Sequence, residues 1–203
     1  LTLPNLFRDR RSIRRYGPQE VPEEALTRIL EAARWAPSAH NAQPWRFIVI
    51  RGPSTKQRLA EAMADRWDRD MAGNGVAGRV RERLIEDSIR RFSGAPVVIV
   101  ACLTMEEMDR YPDRRRRGSE HLMAVQSAAA AVENMLLATH VEGLGSCWYS
   151  APLFCQATVR RVLGAPPSVD PQALITMGYP AERPPPPPRK PLGEVVHREL
   201  WGR

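Results

Sequence analysis

The stretch PSAHNAQPWRFIVI, residues 37–50, decides the fold. Pro37 cannot continue a helix and Pro44 cannot donate to a sheet ladder, so the two bracket a stiffened polar turn. Upstream, Pro22 to Trp35 reads as an amphipathic helix. Pro22 suits a first turn, Glu23 and Glu24 suit its positive end, and Leu26, Ile29, Leu30 and Ala33 recur at helical spacing. Downstream, Trp45 to Ile50 is rich in β-branched and aromatic residues and reads as a strand.

Working outward, Gly52-Pro53-Ser54 reads as a turn, with Ser54 expected to cap a helix running to about Asp70. MAGNGVAG (71–78) is a connector, and Val80 to Phe92 is charged and helical. Pro96 to Leu103 reads as a buried strand with Pro96 at its permitted first position. Thr104 to Gly118 is expected to be a polar loop, a candidate lid or partner surface. Ser119 to Glu142 reads as a long helix of roughly 36 Å, capped by Ser119 and closed by Gly143. It is small or apolar on almost every side, with Gln126, Glu133 and Asn134 as exceptions, so it should be central or packed on a second subunit. Ser146 to Tyr149 and Ala173 to Gly178 read as strands, and Leu153 to Leu163 as a helix. Pro184 to Pro188 forms a polyproline strut of about 15 Å, which points to a C-terminal arm reaching across a surface or onto another subunit. Two helices separate the first two strands, so the class is mixed α/β or α+β.

The 203 residues suit one domain, and 43% hydrophobic with 26% charged residues excludes a disordered chain. The longest uncharged apolar run, Ala95 to Leu103, is too short to span a bilayer. Cys102, Cys147 and Cys155 are odd in number and form no CxxC, and LTLPNLFRDRR has no apolar leader, so a soluble chain in a reducing cytoplasm is expected. The net charge of +7 is carried by arginine, with Lys56 and Lys190 the two lysines. Its clusters, Arg10-Arg11 with Arg14-Arg15 and Arg114 to Arg117, are either solvated faces or anion sites. No recognition helix or aromatic-basic ribbon accompanies them, so neither nucleic acid nor membrane is an expected partner.

GLGS (143–146) follows a helix and lacks the third glycine of a dinucleotide fingerprint, and no Walker loop is present. His40, His121, His140 and His197 show no metal-ligand spacing, so no metal is expected unless scattered residues assemble a site. Cys147 reads as a small buried thiol rather than a nucleophile. Two stretches point to chemistry. Arg10-Arg11-Ser12-Ile13-Arg14 places three guanidiniums and a hydroxyl together, a set that suits a phosphate monoester, and Ile13 and Tyr16 are anchors a solvated arm does not need. The turn at 37–45 offers Ser38 and Asn41 to a flat heteroaromatic edge.

RRSIR (10–14) and PSAHNAQPW (37–45), one helix apart, resemble the start of the FMN-dependent nitroreductase superfamily, whose pattern is R-x-S-x-R/K followed by P-S-x-x-N-x-Q-P-W. The resemblance extends through the small-residue helix with Gln126 and Asn134, GLGSCW (143–148), GYP (178–180) and RKPLGEVVH (189–197), and covers essentially the whole chain. It implies an α+β fold, a three-layer α/β/α sandwich on a mixed, mostly antiparallel sheet. It also implies a domain-swapped homodimer, with residues 1–203 one FMN-binding domain and 181–203 an arm reaching the partner.

Carried over, Arg10, Arg11, Ser12 and Arg189 hold the FMN phosphate. Arg14 lies near the ribityl chain and pyrimidine edge as an electrostatic stabiliser. Pro37, Ser38, Ala39 and Asn41 come from the neighbouring subunit, and Gln126 joins the binding set. The backbone at Ser150 and Ala151 donates to flavin N5, where the family often has Glu-Gly. The implied reaction is ping-pong hydride transfer from NAD(P)H through FMN to a small-molecule acceptor such as a nitroaromatic or quinone, with no protein acid or base required.

MADRWDRDM (63–71), the YPD-Arg loop (111–117), GSEHLM (118–123) and GLGSCW are also similar to the FMN-binding C-terminal domain of the enzymes of deazaflavin coenzyme (F-420) biosynthesis. That likeness implies an alternative, reduction of a dehydro precursor of the coenzyme. Arg66, Arg69 and Arg114 to Arg117 would then receive a phosphorylated, acidic substrate.

Overall fold

VVIVACLT is apolar or small along its length because both faces of the strand it forms are covered. In the computed structural model, which describes residues 3–202, this strand is β2 (Val97–Thr104), fully buried, in a four-stranded antiparallel sheet. Its companions are β1 (Trp45–Ile50), β3 (Gly145–Tyr149) and β4 (Val169–Gly178), in the order β1-β2-β4-β3. The helices are α1 (Leu3–Asp9), α2 (Glu23–Arg34), α3 (Pro53–Gly73), α4 (Gly78–Ser93), α5 (Arg114–Val141), α6 (Gln156–Leu163) and α7 (Leu192–Val195). Arg203, the end of the expected arm, lies outside the described residues, as do Leu1 and Thr2.

Strand alternation sorts the core into two layers. Val97, Ile99, Ala101, Ala173, Ile175 and Met177 face Leu26 and Ile29 of α2 and Ala131, Val132 and Met135 of α5. Val98, Val100, Cys102 and Leu174 face the other way, onto Leu59 and Met63 of α3, Phe92 of α4 and Val159 of α6. The result is the expected α/β/α sandwich. Its one parallel element among the described residues is an isolated bridge between Ser12 and Ser146.

Several boundaries differ from the sequence expectation for identifiable reasons. α3 starts at Pro53 with Gly52 as its cap, so Ser54 is already helical. It continues to Gly73, shortening the connector. The last third of the expected loop at 104–118 is helical. Asp113, not Ser119, caps α5, its carboxylate accepting from the Arg116 amide at 2.9 Å, and Arg114 to Arg117 form the first turn. The Arg116 guanidinium also pairs with Asp113 and lies over the Tyr111 ring, 4.6 Å from its centroid, which counters the unfavourable charge at this helix end. β4 begins at Val169, ahead of the expected Ala173. Pro171, which has no amide to donate to a ladder, is accommodated where the β2–β4 register shifts beside Cys102. The expected helix at 153–163 is a 3₁₀ turn (Ala151–Phe154) followed by α6. α1 had no counterpart in the sequence reading.

The 28-residue α5 is long and apolar enough to cross a membrane by composition. Here Ala124, Ala128, Ala131, Val132, Met135 and Leu136 are buried against the sheet and α2, as in the core helix of a globular protein.

Candidate functional site

The arginine segment is stitched onto the sheet rather than left as an arm. The Ile13 amide donates to the Ser146 carbonyl at 2.9 Å, that of Gly17 to Tyr179 at 2.8 Å, and that of Ala181 to Arg15 at 2.9 Å. Ile13 is buried, and the Tyr16 hydroxyl bonds to the Ile13 carbonyl and to Thr176 Oγ1, the latter at 2.7 Å. Burial pushes the Tyr16 phenol well above its ordinary range, so it stays a neutral donor.

Two glycines make this docking possible. Gly145 and Gly178 face each other across β3 and β4. A Cβ on Gly145 would lie 2.7 Å from Cβ and Cγ1 of Ile13, and one on Gly178 would lie 2.7 Å from Pro96 Cγ and 3.1 Å from Tyr16 Cδ1. The glycines of GLGSCW and GYP are thus the floor on which the segment lies.

Arg10 and Arg11 border a cavity of about 510 Å³ with Asp9, His140, Ser146 and Arg183. The Arg10 guanidinium is only loosely paired, 3.9 Å from Glu133. That of Arg11 caps the carbonyls of Arg8 and Arg10 at the end of α1. Arg14 holds Glu182 through its amide at 2.7 Å and reaches the Ser12 carbonyl at 3.3 Å. Arg189 does not line this cavity. Arg183 does, with His140; the sequence weighs His140 only as a metal ligand and does not single out Arg183, since neither belongs to a recognisable motif. Burial pushes the His140 imidazole down, as do Arg10 and Arg11, while Asp9 opposes them.

The other end of β3 carries the second half of the site. Ser150 leads into the 3₁₀ turn at Ala151. Tyr149 and Ala151 line a second cavity of about 510 Å³ with Trp67, Phe92, Phe154, Arg66 and Arg91. The Tyr149 hydroxyl is buried without a hydrogen-bond partner among the described residues, and burial pushes its pKa upward, with Cys147 adding and Arg91 and Arg14 opposing. Along a strand, residues 146 and 150 are roughly 14 Å apart; alternation sets Ser146 toward Leu136 and His140 of α5 and Tyr149 toward Met63 of α3 and Phe92 of α4, so the two cavities adjoin opposite layers at the edge strand β3.

The turn at 37–45 is a strained 3₁₀ loop. His40, Asn41 and Gln43 all have positive φ, at 55°, 53° and 45°. Ser38 Oγ accepts from the Gln43 amide at 3.0 Å, and the Ala39 amide donates to Ser127 Oγ of α5 at 3.2 Å. These bonds hold the loop and leave the Asn41 side chain projecting from it. Pro37 and Gln126 make no contact with the arginine segment in the bonds described, so a single chain does not gather every expected site residue. Cys147 is buried and unpaired, as a structural thiol should be.

A family model described as the nitroreductase family matches residues 7–179. The chain belongs to the nitroreductase family. An NADH dehydrogenase of Thermus thermophilus is 35% identical over 218 residues, covering 95% of this chain and 92% of that protein. A protein assigned as a nitroreductase from Desulfovibrio desulfuricans, solved in complex with FMN, is 31% identical, with 99% and 98% coverage and a TM-score of 0.73. A BluB-like flavoprotein of Clostridium difficile 630 reaches a TM-score of 0.80 at 22% identity, covering 98% of this chain and 99% of that one, a likeness of fold.

The residues of this nitroreductase-family chain fit FMN on their own chemistry. Arg10 and Arg11, on a segment seated through Ile13 against Gly145, border a cavity and supply the guanidiniums that a phosphate needs, and the Tyr149 hydroxyl is a buried polar atom without a partner among the described residues.

Proposed function

We propose that this chain is an FMN-dependent oxidoreductase that takes hydride from NAD(P)H and delivers it to a nitroaromatic, quinone or related acceptor, working as a homodimer in the cytoplasm. The observation that carries the reading is the docking of the arginine segment on the sheet, Ile13 against Gly145 and Tyr16 against Gly178, with the unsatisfied Tyr149 hydroxyl at the far end of β3. When bound, FMN supplies the two-electron chemistry at N5.

The chain's own residues bind and orient. Arg10, Arg11 and Ser12 hold the phosphate, joined by Arg189 from the arm at 181–203. Arg14 meets the ribityl chain and places positive charge where negative charge develops at the pyrimidine edge. The Ser150 and Ala151 backbone faces N5, and Gln126 adds a polar contact. The partner's Pro37, Ser38, Ala39 and Asn41 close over the ring.

Support for the dimer comes from apolar surface that the single chain leaves open. Trp35 is 73% and Trp201 89% exposed, and Leu122, Val141, Leu192 and Leu200 are more than half exposed. The three unpaired cysteines fit a reducing compartment.

The deazaflavin-precursor reading asks Arg66, Arg69 and Arg114 to Arg117 to serve one acidic substrate. In the single chain Arg66 pairs with Asp70 and lines the cavity beside Tyr149, whereas Arg116 pairs with Asp113 and Arg117 borders another cavity. The broader acceptor class is therefore preferred.

The test is an anaerobic visible absorption titration of FMN-supplemented protein with NADPH and then NADH. Bleaching by either nucleotide, reversed by a nitroaromatic or quinone, is the expected result. Bound flavin that neither nucleotide bleaches refutes the NAD(P)H step, and absence of flavin binding refutes the whole reading.

A further inference from the structure

Glu120, in the second turn of α5, is a buried carboxylate with no adequate partner. Its side chain is 4% exposed, and its Oε2 meets no hydrogen-bond donor among the described residues. Its Oε1 lies 3.5 Å from His40 Nε2, beyond a good hydrogen bond. Asp109 Oδ2 approaches the same imidazole nitrogen at 4.0 Å. The ligand atoms of His40, Asp109 and Glu120 all fall within 4.8 Å of one another.

An ionised carboxylate with one oxygen unpaired is costly to bury. An imidazolium at His40 would satisfy only one of its oxygens and would leave the cluster net negative. A dication answers both deficits. Bonds of about 2.1 Å at a tetrahedral angle place ligand atoms roughly 3.4 Å apart. The His40–Glu120 separation already matches this, and the half-exposed Asp109 side chain has room to close the remainder.

We propose that His40, Asp109 and Glu120 form a site for a divalent cation of the zinc class, with water completing the coordination. One imidazole nitrogen with two carboxylates favours Zn²⁺ over Mg²⁺, since borderline metals gain more from nitrogen. Ligands from three segments make the site a clasp. It ties the strained loop at 39–43 to the 105–113 loop and to α5, and so fixes the turn that carries Ser38 and Asn41.

The experiment uses FMN-loaded protein dialysed against a chelator and titrated calorimetrically with Zn²⁺ alone. One ion per chain is expected, with affinity reduced at least tenfold in His40→Gln and in Glu120→Gln. His40→Gln changes a half-exposed side chain, and so keeps the test decisive if Glu120→Gln fails to fold. X-ray absorption of the zinc-loaded protein should show imidazole and oxygen scattering without sulfur. Absence of zinc binding by the wild type, undiminished binding by His40→Gln, or sulfur scattering from a cysteine site each overturns the proposal. Flavin absorbance is recorded in the same samples, so loss of the zinc site is distinguishable from failure of the FMN reading.

Discussion

Replacing Gly145 by alanine tests whether the arginine segment owes its position to the glycine floor. The added methyl carbon would sit 2.7 Å from both Cβ and Cγ1 of Ile13 and 2.9 Å from its Cγ2, well inside van der Waals contact. Ile13 cannot yield by rotamer alone because its Cβ is one of the clashing atoms, so the backbone must lift. Lifting strains or breaks the 2.9 Å bond from the Ile13 amide to the Ser146 carbonyl. Overpacking of this kind costs about 1–3 kcal/mol and the bond about 1 kcal/mol, so a loss of about 2–4 kcal/mol is expected in urea unfolding. Because Arg10, Arg11 and Ser12 ride on the same backbone, FMN affinity, read by quenching of flavin fluorescence, should fall at least tenfold. A double-mutant cycle sharpens the test. Ile13→Ala alone should cost about 2–4 kcal/mol as a core truncation. In combination it removes two of the three clashing atoms, so the double variant should be more stable than the sum of the two losses by about 1 kcal/mol. Unchanged stability and flavin affinity in Gly145→Ala, or strict additivity in the cycle, refutes the docking argument.

Other perturbations probe neighbouring parts of the same surface. Arg14→Ala should weaken FMN binding by about 1.5–3 kcal/mol, the scale of a charged hydrogen bond; equal affinity in an equilibrium titration removes Arg14 from the site. Tyr16→Phe deletes the hydroxyl that joins the Ile13 carbonyl to Thr176 and should cost about 1–2 kcal/mol in urea unfolding, and an unaffected midpoint would show that these bonds contribute nothing. Burial, with Asp170 adding, pushes the Cys102 thiol up to about 12 from 9.0. The unfolded chain therefore releases this proton first as pH rises from 9 toward 12, and stability present below pH 9 is lost across that window at no more than about 1.4 kcal/mol per pH unit. Cys102→Ala should flatten this alkaline limb, and identical slopes would contradict the assignment.

What was legible in the sequence follows from whether the deciding interaction is local. The helix at 23–34 and the strand at 45–50 come from periodicity and proline positions within a few residues, and the structure places both where expected. The start of α5 was misread because four successive arginines look like a solvated loop. Asp113 caps them three residues ahead of the amide it binds, and its charge makes the first turn tolerable. The early part of β4 was hidden by Pro171, whose tolerance depends on a register shift against Cys102 in another strand, a fact no window around the proline contains.

The site divides in the same way. RRSIR reads as an anion site because guanidiniums and a hydroxyl stand side by side in the chain. The reason Gly145 and Gly178 are glycines was invisible, since neither has an unusual φ and each is explained only by residues distant in the chain, Ile13 for Gly145 and Pro96 with Tyr16 for Gly178. Histidine spacing likewise finds metal sites whose ligands sit on one helix or hairpin. His40, Asp109 and Glu120 meet where the 39–43 loop lies against α5, to which the Ala39 amide binds through Ser127. This contact between distant segments is unreadable in sequence and is open to perturbation. Ser127→Ala should therefore weaken zinc binding without touching a ligand, and equal zinc affinity in that variant would mean that the loop is held over α5 by other contacts.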